Sequence, residues 1–136
     1  MGFRHSGRKF AMQVLYQAIN GSASFEDSLE SYLNESHFDQ KALDFGRVLA
    51  INSWENKEDS DALISQYAIG WTLDRISLVD LSILRLAFYE LTSKETPFNV
   101  VVDEAVELSK EFSAEESSRF VNGILGKYVK ECLQES

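Results

Sequence analysis

A single proline, Pro97, interrupts a chain of 136 residues, and its seven glycines are scattered. Proline alone both removes a backbone donor and clashes with the preceding turn, so a sequence this poor in breakers can carry long helices. The apolar residues agree. Phe10, Val14, Leu15, Ala18 and Ile19 fall at helical spacing, and Asn20-Gly21 offers a left-handed stop behind them. Ser24 stands three residues before Asp27, an acidic variant of the capping box, ahead of a stripe of Phe25, Leu29, Tyr32 and Leu33. From Asp39 the spacing predicts one long helix through Leu43, Val48, Leu49, Leu63, Ile64 and Tyr67, kinked near Lys57 in the polar run ENKEDSD. Gly70 to Arg75 reads as a tight connection. Leu78, Leu81, Ile83, Leu84, Ala87, Phe88 and Leu91 then cover more than one face, which puts their helix in the middle of the fold. Pro97 suits the first turn of a further helix with Val101, Ala105, Val106, Leu108 and Phe112 as its stripe. Ser113 to Glu116 has the form of a capping box, opening a last helix that runs through Leu133. The expected fold is all-α: a compact helical bundle of about seven helices in one domain, as two small bundles sharing the long and the central helices.

Cys132 is alone, so no intramolecular disulfide and no cysteine zinc site is possible, and the chain reads as intracellular. The basic start is followed by FAMQVLYQAIN, too broken by Gln13, Gln17 and Asn20 for a signal peptide, and no apolar run is long enough to span a bilayer. Catalytic constellations are missing as well. His5 and His37 belong to no metal pair, and Gly123-Ile-Leu-Gly126-Lys127 is too short to be a phosphate loop. Gly123 and Gly126 share one side of a helix and are expected to let another helix approach. No enzyme, metal or cofactor is expected. Arg85 and Glu90, set in an apolar segment, are expected to pair with neighbouring helices.

Charge is distributed unevenly. The formal net charge is −9, yet Met1 to Phe25 holds Arg4, Arg8 and Lys9 and no Asp or Glu, which leaves −12 for the remainder. Cations at the start of a helix oppose its dipole, so their presence there points to an outside anion. The acidic remainder disfavours duplex nucleic acid over a broad face; any such contact has to be local.

Three stretches taken together, RKFAMQVLY from Arg8, WTLDRISLVDLSILRLAFYEL from Trp71 and VDEAVELSKEFSAEESSRFVNGIL from Val102, resemble the NusB family of bacterial transcription antitermination factors in order and separation. The resemblance covers nearly the whole chain. It implies an all-helical cytoplasmic protein of two three-helix bundles plus a connecting helix, without catalytic activity, as a single domain over 1–136. It implies binding to the boxA element of nascent rRNA transcripts with NusE, a ribosomal protein, and assembly with other Nus factors on RNA polymerase. By resemblance, Arg4, His5, Arg8 and Lys9 meet phosphate, while Gln13, Tyr16, Glu116, Arg119 and Phe120 line the same RNA face. Family members carry an arginine-rich start here, whereas this chain has His5 and Ser6 at arginine positions. NusE is implied to dock around Arg75, Leu78, Asp80 and Leu81, drawn by the acidic remainder. A second expectation stands beside this one: a helical protein-interaction scaffold or homodimer with weak or lost RNA binding.

Overall fold

The first helix stops where Asn20 and Gly21 place its end. In the computed structural model, which describes residues 2–21, 23–35 and 37–134, α1 (Phe3–Ile19) closes with the Asn20 N–H on the Tyr16 carbonyl and Gly21 at φ +88°. Glycine enters that backbone state without strain. α2 (Phe25–Glu35) opens with the Asp27 N–H donating to Ser24 Oγ at 3.1 Å, as its capping pattern predicts. α3 (Gln40–Glu55) completes a first compact unit that ends at Glu55. Fully buried Phe10 meets Tyr32 and Phe38 edge-on, at 6.3 and 5.8 Å between ring centroids, and Phe25 stacks on Trp54 at 5.0 Å.

Where α1 crosses α3, two glycines lie backbone to backbone. A Cβ on Gly46 would stand 2.5 Å from the Gly7 carbonyl oxygen, and one on Gly7 would stand 2.6 Å from the Phe45 ring. The distance between packed helices is set by the side chains at the contact, and here the two glycines contribute none, with the Phe45 and Phe10 rings filling the flanks. Gly123 and Gly126, expected to play this part, do not. Both are exposed, and a Cβ on either would meet nothing within 4 Å.

The long helix of the sequence reading is two helices. α3 ends at Glu55, Asn56 leaves helical geometry at φ −101° and ψ 16°, and α4 (Lys57–Tyr67) starts afresh with Glu58 and Asp59 in its first turn. Acidic residues there favour the positive end of a new helix over continuation of an old one. The chain passes from the first unit to the second at this break, so the expected shared helix is divided instead.

The second unit holds α4, a 3₁₀ turn at Leu73–Arg75, α5 (Leu78–Ser93), α6 (Phe98–Phe112) and α7 (Glu115–Tyr128), which continues as a π-helical turn through Leu133. α5 lies among α4, α6 and α7, in the middle as its apolar breadth predicts. Ile83, Leu84 and Phe88 are fully buried, and the Phe88 ring meets Tyr128 at 5.2 Å. Arg85 reaches α4 as expected, with Nε and Nη2 each 2.8 Å from an Asp61 carboxylate oxygen. Glu90 is buried. Pro97 takes the position just before α6 instead of one inside its first turn. Cys132 is exposed, 3.4 Å from the Tyr67 hydroxyl. Among the described residues no helix is long and apolar enough to cross a membrane.

The box expected at Ser113 does not form. Ser113 ends α6 in extended geometry and its hydroxyl lies 2.7 Å from Ser117 Oγ, so Ala114 occupies the capping position and Glu116 stays exposed at the head of α7.

Candidate nucleic-acid interface

Helical geometry sorts the residues of α1 that the sequence grouped together. His5, Lys9, Gln13 and Tyr16 follow one another at helical spacing and are all half-buried, a continuous stripe along one side. Arg8 falls on the other side with Ala11, Met12 and Leu15. It is 3% exposed, its guanidinium carbon 5.3 Å from the Phe45 ring centroid. A phosphate cannot reach it unless this end of the unit opens. Arg4, at the very start, is exposed and rests over Phe3 at 4.7 Å. No side chain caps α1 and no acid occupies its first turn, so the positive helix end reinforces these cations. Gln13 also borders a cavity of about 650 Å³ between α1 and α2, beside Gln17, Ser28 and Tyr32.

In the second unit a groove of about 310 Å³ opens where the 3₁₀ turn, the start of α5 and the start of α7 converge. Trp71, Arg75, Asp80, Glu116 and Phe120 all line it. Residues assigned by resemblance to RNA, Glu116 and Phe120, thus share one depression with two assigned to a protein partner, Arg75 and Asp80. The Trp71 and Phe120 rings meet at 5.5 Å and 66°, and Trp71 keeps 49% of its surface exposed. Serines fix this geometry. Ser77 Oγ caps α5 by accepting from the Asp80 N–H at 3.1 Å, and Ser113 holds Ser117. The Asp80 carboxyl is buried, with Oδ1 lacking a hydrogen-bond partner. Burial raises it above the ordinary 3.8, while hydrogen bonds from Ser117 and Ser77 pull it down without cancelling that shift.

Other predicted positions separate from this groove. Arg119 is exposed on another side of α7, bordering a hollow with Asp103, Glu107 and Lys110 of α6. Leu78 is 39% exposed at the head of α5, but Leu81 is 7% exposed, one turn before Leu84 on the face that packs inward. Sequence reasoning missed Trp71. An aromatic next to Gly70 in a short connection belongs to no helical stripe, and that isolation is the signal that could have marked it. Ile69, 70% exposed, adjoins it.

The chain matches the sequence model of the NusB family over residues 5–130. It is 38% identical over 136 aligned residues to the transcription antitermination protein NusB of Symbiobacterium thermophilum, covering 93% of this chain and 89% of that one. Among solved structures, T. maritima NusB is similar at TM-score 0.82 and 39% identity, over 94% of this chain and 91% of that one. A crystal structure of antitermination factors NusB and NusE in complex with dsRNA shares the fold at TM-score 0.83 and 24% identity, over 95% and 97% of the two chains.

Proposed function

The chain belongs to the NusB family, and we propose that it is a transcription antitermination factor that binds boxA-type single-stranded RNA of nascent rRNA transcripts together with NusE. In this role residues 1–136 work as one RNA- and protein-binding domain in the bacterial cytoplasm, joining other Nus factors on RNA polymerase. The groove beside Phe120 is the observation that carries it. Unpaired bases stack on accessible aromatic rings and are told apart by polar contacts to their edges. Trp71 and Phe120 offer the rings, and the carboxyls of Glu116 and Asp80 offer acceptors for the amino and imino groups of a base. Arg4, His5 and Lys9 suit the phosphates, with Gln13 and Tyr16 further along the same stripe, and Arg119 adds a cation from α7. Arg8 supports the potential from within. Arg75 and Leu78, at the rim of an acidic body, suit a basic partner such as NusE, with Leu81 beneath them as packing.

Titrating a short boxA-type RNA, with and without NusE, tests the whole reading. Binding that tightens when NusE is added, and falls with salt at a log–log slope no steeper than about −3, supports it. Affinity that NusE leaves unchanged removes the cooperative assembly. One observation favours the scaffold or homodimer reading: burial of Arg8 thins the accessible basic tip, while Ile69, Trp71 and Leu78 stand exposed. Sedimentation at several concentrations distinguishes the two, because a dimer that RNA does not dissociate belongs to the scaffold.

A further inference from the structure

The geometry points to Lys41, on α3, as a phosphate-binding residue that works as a pair with Arg4 across the ring of Phe3; this rests on the RNA reading above. Thirty-seven positions separate the two cations in sequence, yet both sit on one ring: Arg4 Cζ lies 4.7 Å and Lys41 Nζ 5.8 Å from the Phe3 centroid. The charges are therefore no further apart than those two distances laid end to end, comparable to the ~8 Å over which physiological salt screens them. At low salt, where the screening length is about 30 Å, like charges at this range repel, and both side chains are exposed. Among the described residues no carboxylate forms an ion pair with either. The exposed carboxylates nearest Lys41 in sequence are Asp39 and Asp44, and Asp44 already accepts from the Gln40 side chain at 2.8 Å.

Each cation also stands in the first turn of its helix, and neither α1 nor α3 has an acid there. Both are thus badly placed for their own helices. An anion held between them relieves the mutual repulsion and both dipole penalties together. Phe3 fixes where that anion sits. Its ring packs edge-on against Phe45 at 6.0 Å and 87°, and the Arg8 guanidinium covers Phe45 in turn, so the ring under the two cations is braced from α3. A phosphodiester is the ligand this suits: a compact anion whose oxygens can accept from a guanidinium on one side and an ammonium on the other. The basic pole is then a property of the α1–α3 pair, not of the N-terminal helix alone.

Lys41→Gln, Arg4→Gln, the double variant and Arg47→Gln, a control at an exposed cation further along α3, are titrated with boxA-type RNA at two salt concentrations a factor of four apart. Loss of one phosphate contact makes the log–log slope shallower by about 0.7, so the deficit of Lys41→Gln relative to wild type should shrink about 2.6-fold on going to the higher salt. Arg47→Gln should match wild type, Lys41→Arg should restore binding, and the double variant should lose less than the two single losses multiplied. Wild-type affinity and slope in Lys41→Gln, with binding weakened in Arg4→Gln, overturns the pairing and leaves the RNA reading intact. No RNA binding by wild type, alone or with NusE, overturns both.

Discussion

The two units bring their helices into contact differently at one key crossing each. In the first, α1 meets α3 where side chains are missing, at Gly7 and Gly46; in the second, α5 is wedged among its neighbours by Leu84, Phe88 and other large side chains. Their surfaces differ in a related way. The first unit gathers cations around the Phe3 ring, and the second shapes a groove from two aromatic rings and two carboxyls. Charge attracts over a distance and tolerates loose placement, whereas stacking needs surfaces held to within a fraction of an ångström. The feature that demands rigidity thus sits on the unit whose central helix is buried on most of its sides. Phe88→Ala tests that core hardest. Deleting a fully buried ring that packs on Tyr128 should cost about 3–5 kcal/mol in urea unfolding. A loss below about 1 kcal/mol would mean that the site collapses around the gap and α5 is not the pin.

The glycines give the sharpest contrast between the units. Gly46→Ala forces a methyl group onto the Gly7 backbone and should destabilise by about 1–3 kcal/mol as the crossing spreads. Gly126→Ala meets empty space on an exposed face and should stabilise by about 0.5–1 kcal/mol, because alanine loses less backbone freedom on folding. Shifts of the same sign in the two variants would erase the distinction.

The glycines also show why some of the fold was legible and some was not. α5 could be read because apolar breadth is a one-dimensional pattern, and Asn20-Gly21 and Ser24 because a cap is local. The crossing could not, since nothing in one dimension says which of two glycine pairs faces a backbone and which faces water. The break at Asn56 is half legible: the polar run marks an irregularity, but the pattern does not distinguish a kink from a new first turn led by Glu58 and Asp59. Ser113 misled because the pattern of a box ignores Ser117, which takes its hydroxyl. In the site, Glu116 and Phe120 share a groove with Arg75 and Asp80 although the resemblance implies different partners for the two pairs. Arg8 looked like a surface cation because charge is legible and burial is not. Lys41 is not legible as a partner of Arg4 because its neighbour in space lies a whole helix away in sequence.

RNA binding distinguishes the units by salt. Removing a stacking ring with Phe120→Ala should weaken boxA-type RNA by about 1–3 kcal/mol while leaving the salt slope unchanged. Arg4→Gln should do the converse, with a modest loss at high salt and a slope shallower by about 0.7. If Phe120→Ala instead flattens the slope and Arg4→Gln does not, the division of labour between groove and pole is reversed.

The smallest effect concerns a charge that each unit buries, Arg8 in the first and Asp80 in the second. Burial lifts the Asp80 carboxyl above 3.8, so the folded protein holds that proton more tightly than the unfolded chain does. Between the ordinary value and the raised one the folded state binds more protons, and stability therefore falls as pH rises through that window. Below it the contribution is fully present; above the raised value it is gone. Asp80→Asn cannot titrate there, so its urea midpoint relative to wild type should climb as pH rises from 3.8 and then level off. Were wild type to gain on the variant over the same interval, the hydrogen bonds from Ser117 and Ser77 would outweigh burial and hold the carboxyl below its ordinary value. With the expected sign, ionising the carboxyl beneath Trp71 and Phe120 costs the fold stability, and on the RNA reading a base that donates a hydrogen bond to the unpartnered Oδ1 would recover part of that cost.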